Sequence, residues 1–229
     1  MTQHPELKTS LKQRIAIIVV AIIMVGSTIA LYMGIVLSYN NNADTTAASS
    51  EKQERFDELY AEYQAKVDAQ AAELSTEYFD SFSPYLSNVK SFNAAAITEV
   101  TTKDLKVGTG TEVTEGFTDY SAYYLGWLSD ETIFDSSFDS TTEPTSLKVP
   151  LTGSEMIEGW NQGIVGMKLG GVREISIPAE LAYGDQAQGS IPANSPLKFI
   201  VMLISPVAEV EFSDELYQLY TEIYGDTGY

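Results

Sequence analysis

The feature that most constrains this chain is the run from Ile15 to Leu37, IAIIVVAIIMVGSTIALYMGIVL, which is 23 residues without a charge. A helix rises about 1.5 Å per residue, so such a run can cross the roughly 30 Å hydrocarbon core of a bilayer with some tilt. Lys8, Lys12 and Arg14 precede it, whereas Asn40, Asn41, Asn42 and Asp44 follow it, with no basic residue before Lys52. Basic flanks stay in the cytoplasm. The expected topology is therefore a single-pass anchor at 15–37 in the cell membrane, with a cytoplasmic N-terminus (1–14) and an exocytoplasmic remainder. A cleaved signal peptide is the rival reading. It calls for an apolar core of about 7–15 residues and a small-residue exit; this run is longer and leaves through Leu37-Ser38-Tyr39-Asn40.

Composition then narrows the chemistry. The formal charge is −19, with 32 acidic and 13 basic residues. That argues against a nucleic-acid partner, which needs a basic footprint. There is no cysteine, and His4 is the single histidine. Disulfides, thiol catalysis, a Ser-His-Asp triad and a histidine or cysteine metal site are all disfavoured in the folded part. No metal and no cofactor is expected. No phosphate-binding glycine pattern occurs either, and the glycines of VGTG (107–110) and KLGG (168–171) read as turns.

Beyond the anchor, residues 38–50 are small and polar and read as a linker. Over 51–82 apolar residues recur every three or four positions (Phe56, Tyr60, Tyr63, Val67, Ala71, Leu74, Tyr78), which predicts an amphipathic helix. Ser50 with Gln53 suggests a capping box, and Pro84 would end the helix. Two uses of the stripe stay open: docking within the chain, or self-association with a second copy. A connector spans 83–97, and an acidic, tyrosine-rich tail spans 208–229. In the tail Ser213 would cap a short helix that docks on the domain or on the 51–82 helix, with partner binding as the alternative.

From about Thr98 the pattern turns to strands. Tyr120 to Leu128 is rich in aromatics, Val172 to Pro178 alternates, and Leu197 to Ile204 (LKFIVMLI) is nearly all apolar. The last suits a central strand covered on both faces. Between them lies EMIEGWNQGIVGM (155–167), helical in spacing yet carrying Gly159, Gly163, Gly166 and Trp160. Each glycine costs a helix about 1 kcal/mol against alanine. One short helix against an antiparallel sheet is an α+β design.

Six blocks in order, YYLGWL (123–128), FDSS (134–137), MIEGWNQGIVGMKLGG (156–171), ISIPAELAYG (175–184), GSIPANSPLKF (189–199) and VMLISP (201–206), resemble the FKBP-type peptidyl-prolyl cis-trans isomerases. The resemblance covers about 98–207. It implies a half-open antiparallel sheet wrapped around one short α-helix, and an enzyme that turns X-Pro bonds in proline-containing protein or peptide substrates. By the same resemblance Trp160 would form the pocket floor. Tyr124, Phe134, Leu147, Met156, Ile191 and Phe199 would form its walls. The Ile157 N–H and the Tyr183 hydroxyl would meet substrate carbonyls, and Asp135 would be a buried or half-buried carboxylate ordering the tyrosines. Leu147 and Met156 stand where phenylalanine and valine are common in the family, which bears on substrate preference. Read without the resemblance, Trp160 is a core residue and Asp135 a turn residue.

Such a reaction needs no nucleophile, so a folded part without histidine suits it. The alternatives are the same fold used as a binding module or chaperone with little turnover, and a surface-attached structural protein.

Overall fold

The computed structural model describes residues 43–152 and 156–225, with 43–49 through their backbone only. The run 15–37 lies outside these residues. Among the described residues no helix is long and apolar enough to cross a membrane. The described chain falls into two compact units: one comprises residues up to Ala65 together with Val210 onward, and the other Lys66–Glu209.

The larger unit is a six-stranded antiparallel sheet. Its strands are β1 (Thr101–Lys106), β2 (Ser121–Trp127), β3 (Ile133–Ser136), β4 (Leu151–Thr152), β5 (Val172–Ile177) and β6 (Leu197–Ile204), in the order β1-β5-β6-β2-β3, with β4 also on β2. β6 pairs with β5 on one side and β2 on the other, so it is a central strand, in keeping with its nearly continuous apolar run. Side chains alternate across the sheet. Ala122, Ile175, Ile177, Phe199, Val201 and Leu203 belong to one buried cluster, and Tyr123, Leu125, Trp127, Ile200, Met202 and Ile204 to a second.

The first cluster is covered by the short helix α2 (Glu158–Ile164). Its glycines are explained by the sheet beneath. A Cβ on Gly159 would lie 2.2 Å from Ile177 Cγ2, and one on Gly163 would lie 2.5 Å from Ile175 Cγ2. The two glycines are one helical turn apart and the two isoleucines one strand repeat apart, so α2 seats directly on β5. The helix has no basic residue in its last turn. Arg173 of β5 supplies one from outside. It is 7% exposed, donates from Nη1 to the carbonyls of Gly163 (2.9 Å) and Val165 (2.8 Å), and pairs through Nε with Asp104 at 2.6 Å.

The second cluster is covered by the C-terminal part of α1 (Ala43–Phe82). Phe82 is fully buried there, stacked on Phe138 at 5.3 Å and near Tyr123 at 6.3 Å. Helix α1 stops at Phe82, and a 3-10 turn, Ser83–Asn88, begins with Pro84 in its first positions. The proline reading holds at that end. At the other end α1 begins within the stretch expected to be a linker, and residues 43–50 are helical. That stretch holds no glycine or proline and three alanines, so nothing in it breaks a helix. Ser50 and Gln53 are thus interior rather than a capping box, and Gln53 Nε2 donates to Asp57 at 2.8 Å, one turn on.

In the smaller unit, α3 (Asp214–Tyr224) starts at Ser213, whose Oγ accepts the Leu216 N–H at 3.2 Å. It lies against the N-terminal part of α1. Phe56 meets Tyr220 and Tyr224, Tyr63 meets Phe212, Arg55 pairs with Glu215, and Lys52 pairs with Glu222. Here the apolar stripe is occupied by the chain's own tail: Phe56 and Tyr63 are each 7% exposed.

Candidate active site

The tight α2–β5 packing brings Trp160 down onto the sheet, where it is fully buried. Its ring meets Phe199 of β6 edge-on at 5.4 Å and Tyr124 of β2 edge-on at 5.9 Å. Phe199 meets Phe134 of β3 edge-on at 5.5 Å. Edge-to-face contacts of this kind add about 0.5–1.5 kcal/mol each beyond burial. Ile191 belongs to the same cluster, and Tyr124, Phe134, Met156 and Ile157 are half-buried against it. Four rings from β2, β3, β6 and α2 thus converge, with Trp160, Phe199 and Ile191 beneath and the half-buried residues at the open edge.

Two hydroxyls fix this arrangement. Tyr124 Oη donates to Asp135 Oδ2 at 2.5 Å, and Asp135 Oδ1 accepts the Ser136 N–H at 2.8 Å. Burial first, then the bond to Asp135, pushes the Tyr124 phenol well above its ordinary value, so it stays a donor. Beneath, the buried indole N–H of Trp160 donates to Tyr120 Oη at 3.2 Å. Burial raises the Tyr120 phenol too, with the indole donor acting against it. Tyr183 is 36% exposed, and burial followed by the charge of Asp135 raises its phenol.

Two donors at the edge are unengaged. Among the described residues neither the Ile157 N–H nor the Tyr183 hydroxyl makes a hydrogen bond. Ile157 is the extended residue before α2, and its carbonyl accepts from Trp160 and Asn161. Its own N–H is one of the orphan donors every helix start leaves.

Two expectations need correction. Leu147 does not line this cluster. It is 2% exposed in the second cluster, bridged to Phe138, with its N–H on Ser75 Oγ of α1. The approach of α1, which no local pattern in 98–207 announces, draws it to the other face. Asp135 is exposed, not buried or half-buried, because β3 is the sheet's outer strand and the carboxylate reaches sideways to Tyr124.

Sequence reasoning missed three contributors. The backbone of Tyr124 is held twice by Ser137, through its N–H on Ser137 Oγ and its carbonyl on the Ser137 N–H, both at 2.9 Å. Tyr120, four residues ahead of Tyr124 at the start of the aromatic stretch 120–128, accepts the Trp160 indole N–H. Gly126 leaves room for the rings: a Cβ there would lie 2.5 Å from Phe134 Cζ and 2.8 Å from Phe199 Cε1. A glycine in the middle of an aromatic strand is a signal of close approach that could have exposed it.

The family model described as FKBP-type peptidyl-prolyl cis-trans isomerase matches residues 103–204. The FK506-binding protein of Neisseria meningitidis serogroup A is 41% identical over 103 residues, which are 44% of this chain and 91% of that protein. FK506-binding protein 2 of Debaryomyces hansenii is 41% identical over 96 residues, 42% of this chain and 68% of that protein. FK506-binding protein 4 of Chaetomium thermophilum is 37% identical over 114 residues, of which this chain spans only 23% of the relative. The chain belongs to the FKBP-type peptidyl-prolyl cis-trans isomerase family.

Proposed function

We propose that this is a membrane-anchored isomerase whose domain works outside the cytoplasm, accelerating X-Pro isomerisation in exported proteins. The convergence of Tyr124, Phe134, Trp160 and Phe199, with Tyr124 tied to Asp135, is the observation that carries the catalytic part. The location rests on the uncharged run 15–37 and the basic residues that precede it.

The X-Pro bond resists rotation with a barrier of about 18–20 kcal/mol, because resonance stiffens the C–N bond. At the twisted transition state the carbonyl is ketone-like and less polar, and the nitrogen is pyramidal. An apolar aromatic surface favours that state over the planar, well-hydrated amide, which is differential binding of the transition state. In this reading Trp160 and Phe199 hold the proline ring from below, with Tyr124, Phe134, Met156 and Ile191 around it. The Ile157 N–H and the Tyr183 hydroxyl receive neighbouring carbonyls. Asp135 keeps the Tyr124 hydroxyl oriented and biases the field over the amide.

The test is the cis-to-trans exchange rate of a short proline peptide with the full chain added, beside protease accessibility of the domain in sealed vesicles. Acceleration, with the domain digested only from the exocytoplasmic side, supports the reading. Binding without acceleration would leave a binding module, and digestion from the cytoplasmic side would reverse the topology.

A further inference from the structure

We propose that the C-terminal part of α1, through Ser75, Phe79 and Phe82, is a positioning element of the active site, holding the loop that follows β3, the strand carrying Phe134 and Asp135. This rests on the catalytic reading above. The strand β3 that bears both residues is four residues long and, among the described residues, pairs with β2 alone. A short outer strand with a single neighbour is weakly held, so the loop after it must be fixed from elsewhere.

Helix α1 supplies that fixation. Phe138, three residues beyond Asp135, is 1% exposed and stacked on Phe82 at 5.3 Å and 11°, with Phe79 edge-on at 6.2 Å. At the far end of the loop the Leu147 N–H donates to Ser75 Oγ at 2.9 Å, and Ser75 is 6% exposed. The two ends are joined: Phe138 bridges Leu147, and Lys148 N–H donates to the Ser137 carbonyl at 2.8 Å. Ser137 in turn holds the Tyr124 backbone on both sides. A continuous path of packed rings and hydrogen bonds therefore runs from Ser75 and Phe82 to the Tyr124–Asp135 pair. The family match starts at residue 103, so the brace lies outside the span shared with the family. All of these residues lie within the Lys66–Glu209 unit.

The test uses the full chain and four variants: Ser75→Ala, Ser75→Thr, Phe79→Leu and, as control, Leu105→Ala on β1 at the opposite edge of the sheet. Ser75→Ala is expected to lower kcat about fivefold, the factor that one neutral hydrogen bond carries, with KM little changed because the apolar floor is intact. Ser75→Thr restores the hydroxyl and the rate. Phe79→Leu shows the same pattern more weakly, and it decides the matter if Ser75→Ala does not fold. Leu105→Ala loses thermal stability but keeps its kcat. Amide hydrogen exchange over residues 134–148 rises in Ser75→Ala and not in the control.

If Ser75→Ala and Leu105→Ala change kcat alike, or exchange over 134–148 is unchanged, the brace is refuted while the catalytic reading stands. If the unmodified chain does not accelerate exchange, the catalytic reading fails, and the hydrogen-exchange comparison alone decides whether α1 holds the loop.

Discussion

Tyr123 and Tyr124 are neighbours on β2, yet they face opposite sides of one sheet and meet opposite fates. Tyr124 joins the α2-side cluster half-buried, with its hydroxyl on Asp135. Tyr123 joins the α1-side cluster fully buried, and its hydroxyl has no partner among the described residues. Burial raises both phenols, Tyr124 with help from Asp135, and Tyr123 with help from Tyr78 and Glu77. The α1 face is closed and tolerates an orphan polar atom. The α2 face is open at its edge and pairs its buried polar atoms, and among the described residues the Ile157 N–H and the Tyr183 hydroxyl there make no hydrogen bond. The contrast is between a face closed by a helix and a face left open at its edge.

The harshest way to break this contrast is Trp160→Ala. Removing a fully buried ring that contacts two others is expected to cost about 3–5 kcal/mol and to abolish acceleration, read by denaturant titration and peptide exchange. A variant that keeps full activity would show that the ring cluster is only core. Next is Gly126→Ala, whose Cβ meets Phe134 and Phe199. Overpacking of this kind costs about 1–3 kcal/mol, and peptide affinity should fall together with stability. Unchanged affinity would mean those rings do not touch substrate.

The paired test is Tyr124→Phe against Tyr123→Phe. The first removes a charge-assisted bond and should slow turnover several-fold. The second removes an unsatisfied buried hydroxyl, so stability should hold or rise by about 1 kcal/mol or less, with turnover unaffected. Equal effects would erase the difference between the two faces. The gentlest test is pH. Both phenols are raised in the folded state, so their contribution is complete below the ordinary tyrosine value near 10 and is lost as pH climbs toward the folded value. Chemical-denaturation stability should therefore decline from about pH 10 upward, and less steeply in Tyr123→Phe. A decline that starts near neutrality would point to some other group.

Much of this was legible in the chain. The apolar run of β6 announced a central strand, Pro84 announced the end of α1, and Ser213 announced the start of α3, because each acts through its immediate neighbours. The site residues were named from motif blocks; Tyr124, Phe134, Met156, Ile157, Trp160, Ile191 and Phe199 share one packed cluster, and Tyr183 stands exposed outside it, within reach of the Asp135 charge. Leu147 was misplaced for the reason that Ser75 and Phe82 were overlooked: their roles depend on a helix that returns from outside the motif-bearing span.

What the sequence determined alone is local and periodic. It set that the segments of β2, β5 and β6 are strands, that α1 stops before Pro84, which faces are apolar, and that the chemistry must proceed without cysteine. Tertiary structure decided which apolar face became which. Alternation along β2 puts Tyr123 and Tyr124 on different sides. Only the seating of Gly159 and Gly163 on Ile177 and Ile175, and of Phe82 on Phe138, made one side a candidate site and the other a closed core. A strand's two faces are equivalent until other elements cover them, and that covering is a long-range contact that no local pattern encodes.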